Sequence, residues 1–242
     1  MVRGQPDFGM YAPKTISASI SDMGEVAARL GSIVVYDKRG DVVDFDNFEE
    51  PNLRWQKGAV PTGGDSYFSN LTAKGGSQSY YMYPAASAGA TRHIKKYYQV
   101  IGTKRLGVEI SFCKLIAGSS LVLNLWYYSG SKRYKAAAKV DASTDKVYIL
   151  ASDLSWLEVA DVNRILDEYF AFQTIKMVVD FDTLKYVRLL YINQEFDIST
   201  TNLNSFAAGV VPSFFVQIEN EALSAAGGGT WIDDFIFTQA EP

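Results

Sequence analysis

From Ser32 onward, apolar and polar residues alternate in short runs separated by turn residues. Ile33–Tyr36 and Val42–Phe45 flank Asp37-Lys38-Arg39-Gly40, a pattern that predicts a hairpin. Further strands are predicted at Leu53–Val60, Ser66–Thr72, Gln78–Tyr83, Arg92–Ile101, Leu106–Ile116, Ser120–Tyr128, Tyr134–Asp141 and Lys146–Leu150. A three-stranded meander follows over Ile175–Phe181, Lys185–Tyr191 and Glu195–Ile198, and Phe214–Ile218 and Trp231–Phe237 close the chain through Gly227-Gly228-Gly229. Turn signals roughly every 8–12 residues suit a sandwich or barrel, because each strand crosses the fold once. One helical interruption is predicted at Asp161–Tyr169, where Val162, Ile165, Leu166 and Tyr169 share a face.

Residues 1–31 read differently. Gly4, Pro6, Gly9 and Pro13 predict an extended arm, and Met23, Val26, Ala27 and Leu30 behind Ser21-Asp22 predict a short amphipathic helix over 22–30. The expected division is therefore an arm with its helix over 1–31 and a β domain over 32–242. No internal repeat interrupts that domain.

Composition narrows the chemistry. Of 242 residues, 48% are hydrophobic and 14% aromatic, enough for a sizeable core and tilted toward sheet. The net charge is −4 with scattered basic residues, so no nucleic-acid footprint is expected. One Cys and one His exclude an intramolecular disulfide and a Cys/His zinc site. Neither a signal-peptide run nor a stretch of 18 apolar residues is present, so the sequence predicts a chain made in a cytoplasm, with no membrane partner.

Two acidic clusters lie at opposite ends of the strand region, Asp44-Phe-Asp46-Asn47-Phe-Glu49-Glu50 and Asp233-Asp234. Neighbouring first and last strands would bring them together, and converging oxygens suit Ca²⁺; solvated strand ends are the alternative. The aromatic strands offer a stacking platform for a sugar ring, with Trp126, Tyr128 and Tyr81 as candidates helped by Asn124 or Arg133. Because adjacent strand residues face opposite ways, about half of these rings belong to the core.

Asp46-Asn47-Phe48-Glu49 with Leu53-Arg54-Trp55, Val179-Asp180-Phe181 with Tyr186-Val187-Arg188, and Trp231-Ile232-Asp233-Asp234-Phe235 resemble the concanavalin A-like and galactose-binding-like jelly rolls, which include carbohydrate-binding modules. The resemblance implies an all-β antiparallel sandwich of jelly-roll type, here with one or two short helices. It also implies a structural Ca²⁺ shared by Glu49 and Asp233, with Asp46 and Asp234 as weaker ligands. The arm, Gly4-Gln-Pro-Asp-Phe-Gly-Met-Tyr-Ala then Ser21-Asp-Met-Gly-Glu-Val-Ala-Ala-Arg-Leu-Gly-Ser, followed by Arg39-Gly-Asp-Val-Val before the jelly roll, resembles the opening of tailed-phage virion structural proteins. That likeness implies a decoration, fibre or tail-associated protein located in the virion, with copies of itself and other virion proteins as partners.

No catalytic machinery is expected. A jelly-roll glycosidase needs carboxylates in a Glu-x-Asp-x-x-Glu arrangement about 5 Å apart, and the nearest string, Glu195-Phe196-Asp197, has Thr200 in the third place. His93 lacks a Gly-x-Ser-x-Gly nucleophile elbow and reads as a cross-strand residue; Cys113 reads as a small core residue. The sequence thus predicts a non-catalytic structural protein of a phage particle, with a carbohydrate-binding module as the alternative.

Overall fold

The structure is a computed structural model and describes residues 39–242 except 62, 103, 163, 164 and 226. Among the described residues there are sixteen strands and no helix, so none is long and apolar enough to cross a membrane. The first sheet runs β13 (Gln194–Asp197), β12 (Lys185–Tyr191), β11 (Gln173–Asp180), β6 (Arg105–Cys113), β16 (Thr230–Gln239), β4 (Ser79–Tyr83) and β3 (Asp65–Ser69), with β1 (Asp41–Asp46) beside the second half of β16. The second runs β10 (Trp156–Asp161), β9 (Lys146–Leu150), β8 (Lys132–Asp141), β7 (Ser119–Tyr128), β15 (Ser213–Ala222), β5 (Thr91–Tyr98) and β2 (Gln56–Val60), with β14 (Asn204–Ala207) beside the first half of β8. Neighbouring strands are antiparallel, and the two sheets form a sandwich, one of the two architectures the strand pattern suits, of the jelly-roll type that the resemblance implies.

Alternation builds the core. On β7, Leu121, Leu123, Leu125 and Tyr127 point inward, and on β15 Phe214, Val216 and Ile218 join them. They meet Leu106, Val108, Ile110 and Phe112 of β6 and Ile175, Met177 and Val179 of β11 from the other sheet. On β16 the inward residues Ile232 and Phe235 are three apart, which a strand of period two does not allow. A register shift against β6 between Asp233 and Ile236, with Asp234 at φ 47°, absorbs the extra residue.

The predicted helix over Asp161–Tyr169 does not form. Asp161 is the end of β10, and the other described residues of the stretch are irregular chain in which Ile165 is buried in the core and the Ile165 and Val162 amides donate to Asp145 Oδ1 and Asp145 O. Tertiary packing uses the helical-looking apolar residues without the helix. The predicted arm, the helix over 22–30 and the first strand of the Ile33–Phe45 hairpin lie outside the described residues; the described partner of β1 is β16.

Candidate functional site

The second sheet has an outer face, facing away from the core, on which strand register assembles an ordered set of side chains. Tyr97 of β5, Phe215 of β15, Trp126 of β7 and Lys135 of β8 stand in one row. The next row holds Lys95, Gln217, Asn124 and Ala137, and the one beyond it His93, Glu219, Val122 and Lys139. Glu221 and Ser120 follow, so β15 alone presents Phe215, Gln217, Glu219 and Glu221 at a spacing of two.

The aromatic rings lie against one another. Trp126 stacks on Phe215 at 5.4 Å and 11°, and Tyr97 and Tyr128 flank Phe215 at 5.2 and 5.8 Å. Cations sit over these rings: Arg133 is 5.3 Å from the Trp126 ring and 4.6 Å from Phe206, and Lys135 is 5.0 Å from Trp126. Polar groups border the strip. Gln217 Nε2 donates to Glu219 Oε2 at 2.8 Å, and Ser120 Oγ donates to Glu221 Oε2 at 3.0 Å.

The face also holds buried polar atoms without hydrogen-bond partners: His93 Nδ1, Asn124 Oδ1, Trp126 Nε1 and Arg133 Nε. Asn124 is only 2% exposed although it points away from the core. Buried donors and acceptors of this kind normally find a partner. Burial, reinforced by Lys95 and Arg92, lowers the His93 pKa. Burial likewise raises that of Glu219, with the Glu221 charge adding and Lys135 opposing, and lowers that of Lys135. The His93 ring lies over Gly58 of β2, where an added Cβ would stand 2.2 Å from Nε2; this supports the cross-strand reading of His93.

Of the predicted sugar-contacting residues, Trp126, Tyr128, Asn124 and Arg133 share this face. Tyr81 does not. Its neighbours Tyr80 and Met82 fill the core from β4, so Tyr81 points out from the first sheet, against Trp231 at 4.3 Å. Glu219 and Glu221 escaped the sequence reading because the predicted strand stopped at Ile218, and continued alternation past Ile218 was the signal; Gln217 lay inside the predicted strand and was not singled out. Glu195 and Asp197 lie on the edge strand β13, where they bind Arg39 and the Ser199 amide. Cys113 is buried, and burial pushes its thiol up to about 12.

The two acidic clusters do meet, across the loop over 74–78. Glu49 Oε1 accepts from the Ser77 and Gln78 amides and Oε2 from the Ser77 hydroxyl. Asp233 Oδ2 accepts from the Lys74 and Gly75 amides at 2.8 and 3.5 Å. Asp46 accepts from the Phe48 amide and Trp55 Nε1 and pairs with Arg54, while Asp234 pairs with Lys74 Nζ at 2.7 Å. Amide hydrogens and an ammonium therefore stand where a cation would have to sit. Among the described residues no group of three or more His, Cys, Asp or Glu is placed to hold a metal ion, and this donor set does not fit the Ca²⁺ expected from Glu49, Asp233, Asp46 and Asp234. Burial, then the Asp234 charge, pushes Asp233 up to about 7.

No protein-family model matches the sequence, and no curated protein sequence does. Among solved structures, an endo-β-1,4-glucuronan lyase from the fungus Trichoderma reesei matches with a TM-score of 0.54 at 7% identity, over 82% of this chain and 95% of the lyase. The likeness is one of fold. An endo-1,3-β-glucanase from Streptomyces sioyaensis matches at 0.48 and 12% identity, covering 84% of this chain and 97% of its own. The CBM22-1 xylan-binding domain of Paenibacillus barcinonensis Xyn10C matches at 0.43 and 12%, over 84% and 97%.

Proposed function

We propose that the protein binds a carbohydrate on the outer face of its second sheet. The observation that carries this reading is the stacked strip of Trp126, Phe215, Tyr97 and Tyr128 bordered by the unpartnered polar atoms of His93, Asn124, Trp126 and Arg133. Flat apolar rings with hydrogen-bonding groups at their margins match a pyranose, which has an apolar C–H face and a rim of hydroxyls. The lyase that shares the sandwich is named for a polysaccharide, which agrees with the reading. The particle role expected from the sequence rests on strings within residues 1–32 and on Arg39-Gly-Asp-Val-Val, of which only Arg39–Val43 lie within the described residues.

Trp126→Ala is the test. The expected result is loss of retention on polysaccharide affinity gels with the melting temperature little changed, since Trp126 faces away from the core. A wild-type protein retained by no polysaccharide, together with a destabilised variant, overturns the reading and leaves the strip as packing.

A second reading, cleavage of the bound chain, is favoured by Glu219 and Glu221. Two carboxyl groups stand on one face of one strand, and burial raises the pKa of Glu219, which keeps a proton available for a glycosidic oxygen.

A further inference from the structure

Stacking and hydroxyl contacts leave the charge of the outer face unexplained. Lys95 rests 5.7 Å from the Tyr97 ring, and Arg133 and Lys135 rest over Trp126. Among the described residues none of these three has a carboxylate within ion-pair distance, whereas Lys139, further along the face, is paired with Asp141 at 3.5 Å. Glu219 acts on Lys135 only at longer range. Arg133 Nε is buried without an acceptor.

The arrangement runs against the bulk charge, since the chain as a whole carries −4. Three unpaired cations are held on one aromatic face of an acidic protein. A neutral hydroxyl would accept from one N–H but return no charge, whereas an oxyanion would satisfy both needs, and a guanidinium presents its donors in a fork that fits a carboxylate. Lys95 and Lys135 stand on β5 and β8, three strand spacings of about 4.8 Å and hence about 14 Å apart. That span is wider than one sugar ring, so a ligand engaging both is a chain.

We infer that the outer face of the second sheet receives an acidic polysaccharide, its sugar rings stacked on Trp126 and the exposed Tyr97 and its carboxylates held by Arg133 and Lys135 at one end and Lys95 at the other. This rests on the carbohydrate-binding reading and names the ligand class for the same face. Glu221 is already engaged by Ser120, Asp141 lies beside Lys139 and Glu158 of β10 is paired with Lys146, which leaves Glu219 as the acidic group nearest Lys135.

The experiment is native affinity electrophoresis of the full chain in gels containing polygalacturonate, the same polymer with its carboxyl groups reduced to alcohols, or heparin. The wild type is expected to be retarded by polygalacturonate, to be released by about 0.5 M NaCl through screening, and to pass the reduced polymer freely. Arg133→Gln and Lys95→Gln, on different strands, should each weaken retention about tenfold or more, the usual worth of a hydrogen bond to a charged group. Lys185→Gln, on β12 of the opposite sheet, should leave retention unchanged. Circular dichroism confirms folding, and having two separate variants keeps the test standing where one fails to fold. Equal retention on the reduced polymer overturns the acidic ligand while leaving carbohydrate binding intact. Retention on heparin alone overturns the carboxylate assignment. Equal loss in Lys185→Gln reduces the effect to general ion exchange and overturns the site. Retention by none of these polymers nor by a panel of neutral polysaccharides overturns the underlying reading as well.

Discussion

Glu219 shows how one side chain links stability to the chemistry of the outer face. Burial raises its pKa from the usual 4.5, with the Glu221 charge adding to the effect and Lys135 and the Gln217 amide opposing it. The folded protein therefore holds a proton on Glu219 at a pH where the unfolded chain has released it. The stability this provides is full below about 4.5 and falls as pH rises through the higher folded value. In Glu219→Gln the denaturation midpoint is expected to decline less than in the wild type as pH is raised above 4.5. Parallel curves for the two proteins would show that Glu219 titrates normally. The same variant tests cleavage: reducing ends released from a retained polymer by the wild type, and not by Glu219→Gln, place the acid at Glu219. Retention without any release leaves a binding face alone.

Strands were legible where alternation was unbroken and illegible where partners far along the chain decide the conformation. β9 and β12 fall on the residues the pattern predicts, Lys146–Leu150 and Lys185–Tyr191. β10 and β14 were missed because each is an edge strand whose residues are largely solvated, so neither has a clean apolar face. The Asp161–Tyr169 stretch misled in the opposite direction, since Val162 and Ile165, at helical spacing, pack on the core from irregular chain. The candidate site was half legible. Trp126, Tyr128 and Arg133 come from strands with clear alternation, whereas Tyr81 was joined to them because a sequence does not say which sheet a strand enters.

One such long-range partner has a measurable effect. Along its outer edge β8 pairs with β14 through Lys135 and with β9 from Ala138, which leaves Ala136 and Ala137 between the two ladders. The hydroxyl of Tyr186, from β12 in the opposite sheet, accepts from the Ala137 amide at 2.9 Å and donates to Leu150 O at 2.8 Å. Burial raises the Tyr186 pKa well above its usual value of 10.0, so the hydroxyl stays protonated and able to donate. Tyr186→Phe keeps the packing but leaves a buried amide and carbonyl unsatisfied, which should cost about 1–3 kcal/mol in chemical denaturation. A variant as stable as the wild type would mean that water reaches the gap between the two ladders.

At the scale of the molecule, the question is what fastens the start of the sandwich to its end. The sequence predicts a cation shared by Glu49 and Asp233; the structure uses the loop over 74–78, whose amides are divided between those two carboxylates. At Gly76, φ is 74° and an added Cβ would stand 2.4 Å from Glu49 Oε1, so the loop closes on the carboxylate only because that position has no side chain. Burial alone would raise the Glu49 pKa, but the Ser77 hydroxyl and the Gln78 and Ser77 amides outweigh it and hold it below 4.5. The carboxylate thus stabilises the folded state above the usual pKa, and this contribution is lost as pH falls through the lowered one. Glu49→Gln points an amide nitrogen at groups that already donate, and the loss should be roughly 1–2 kcal/mol at neutral pH. A loop held by amides needs no ion, so this loss should be the same in millimolar Ca²⁺ and in chelator, and the wild-type melting curve should be the same in both. A wild-type melting temperature several degrees higher in Ca²⁺, with the increment abolished by Glu49→Gln, would restore the cation and displace Lys74 from its role as the positive partner of this corner.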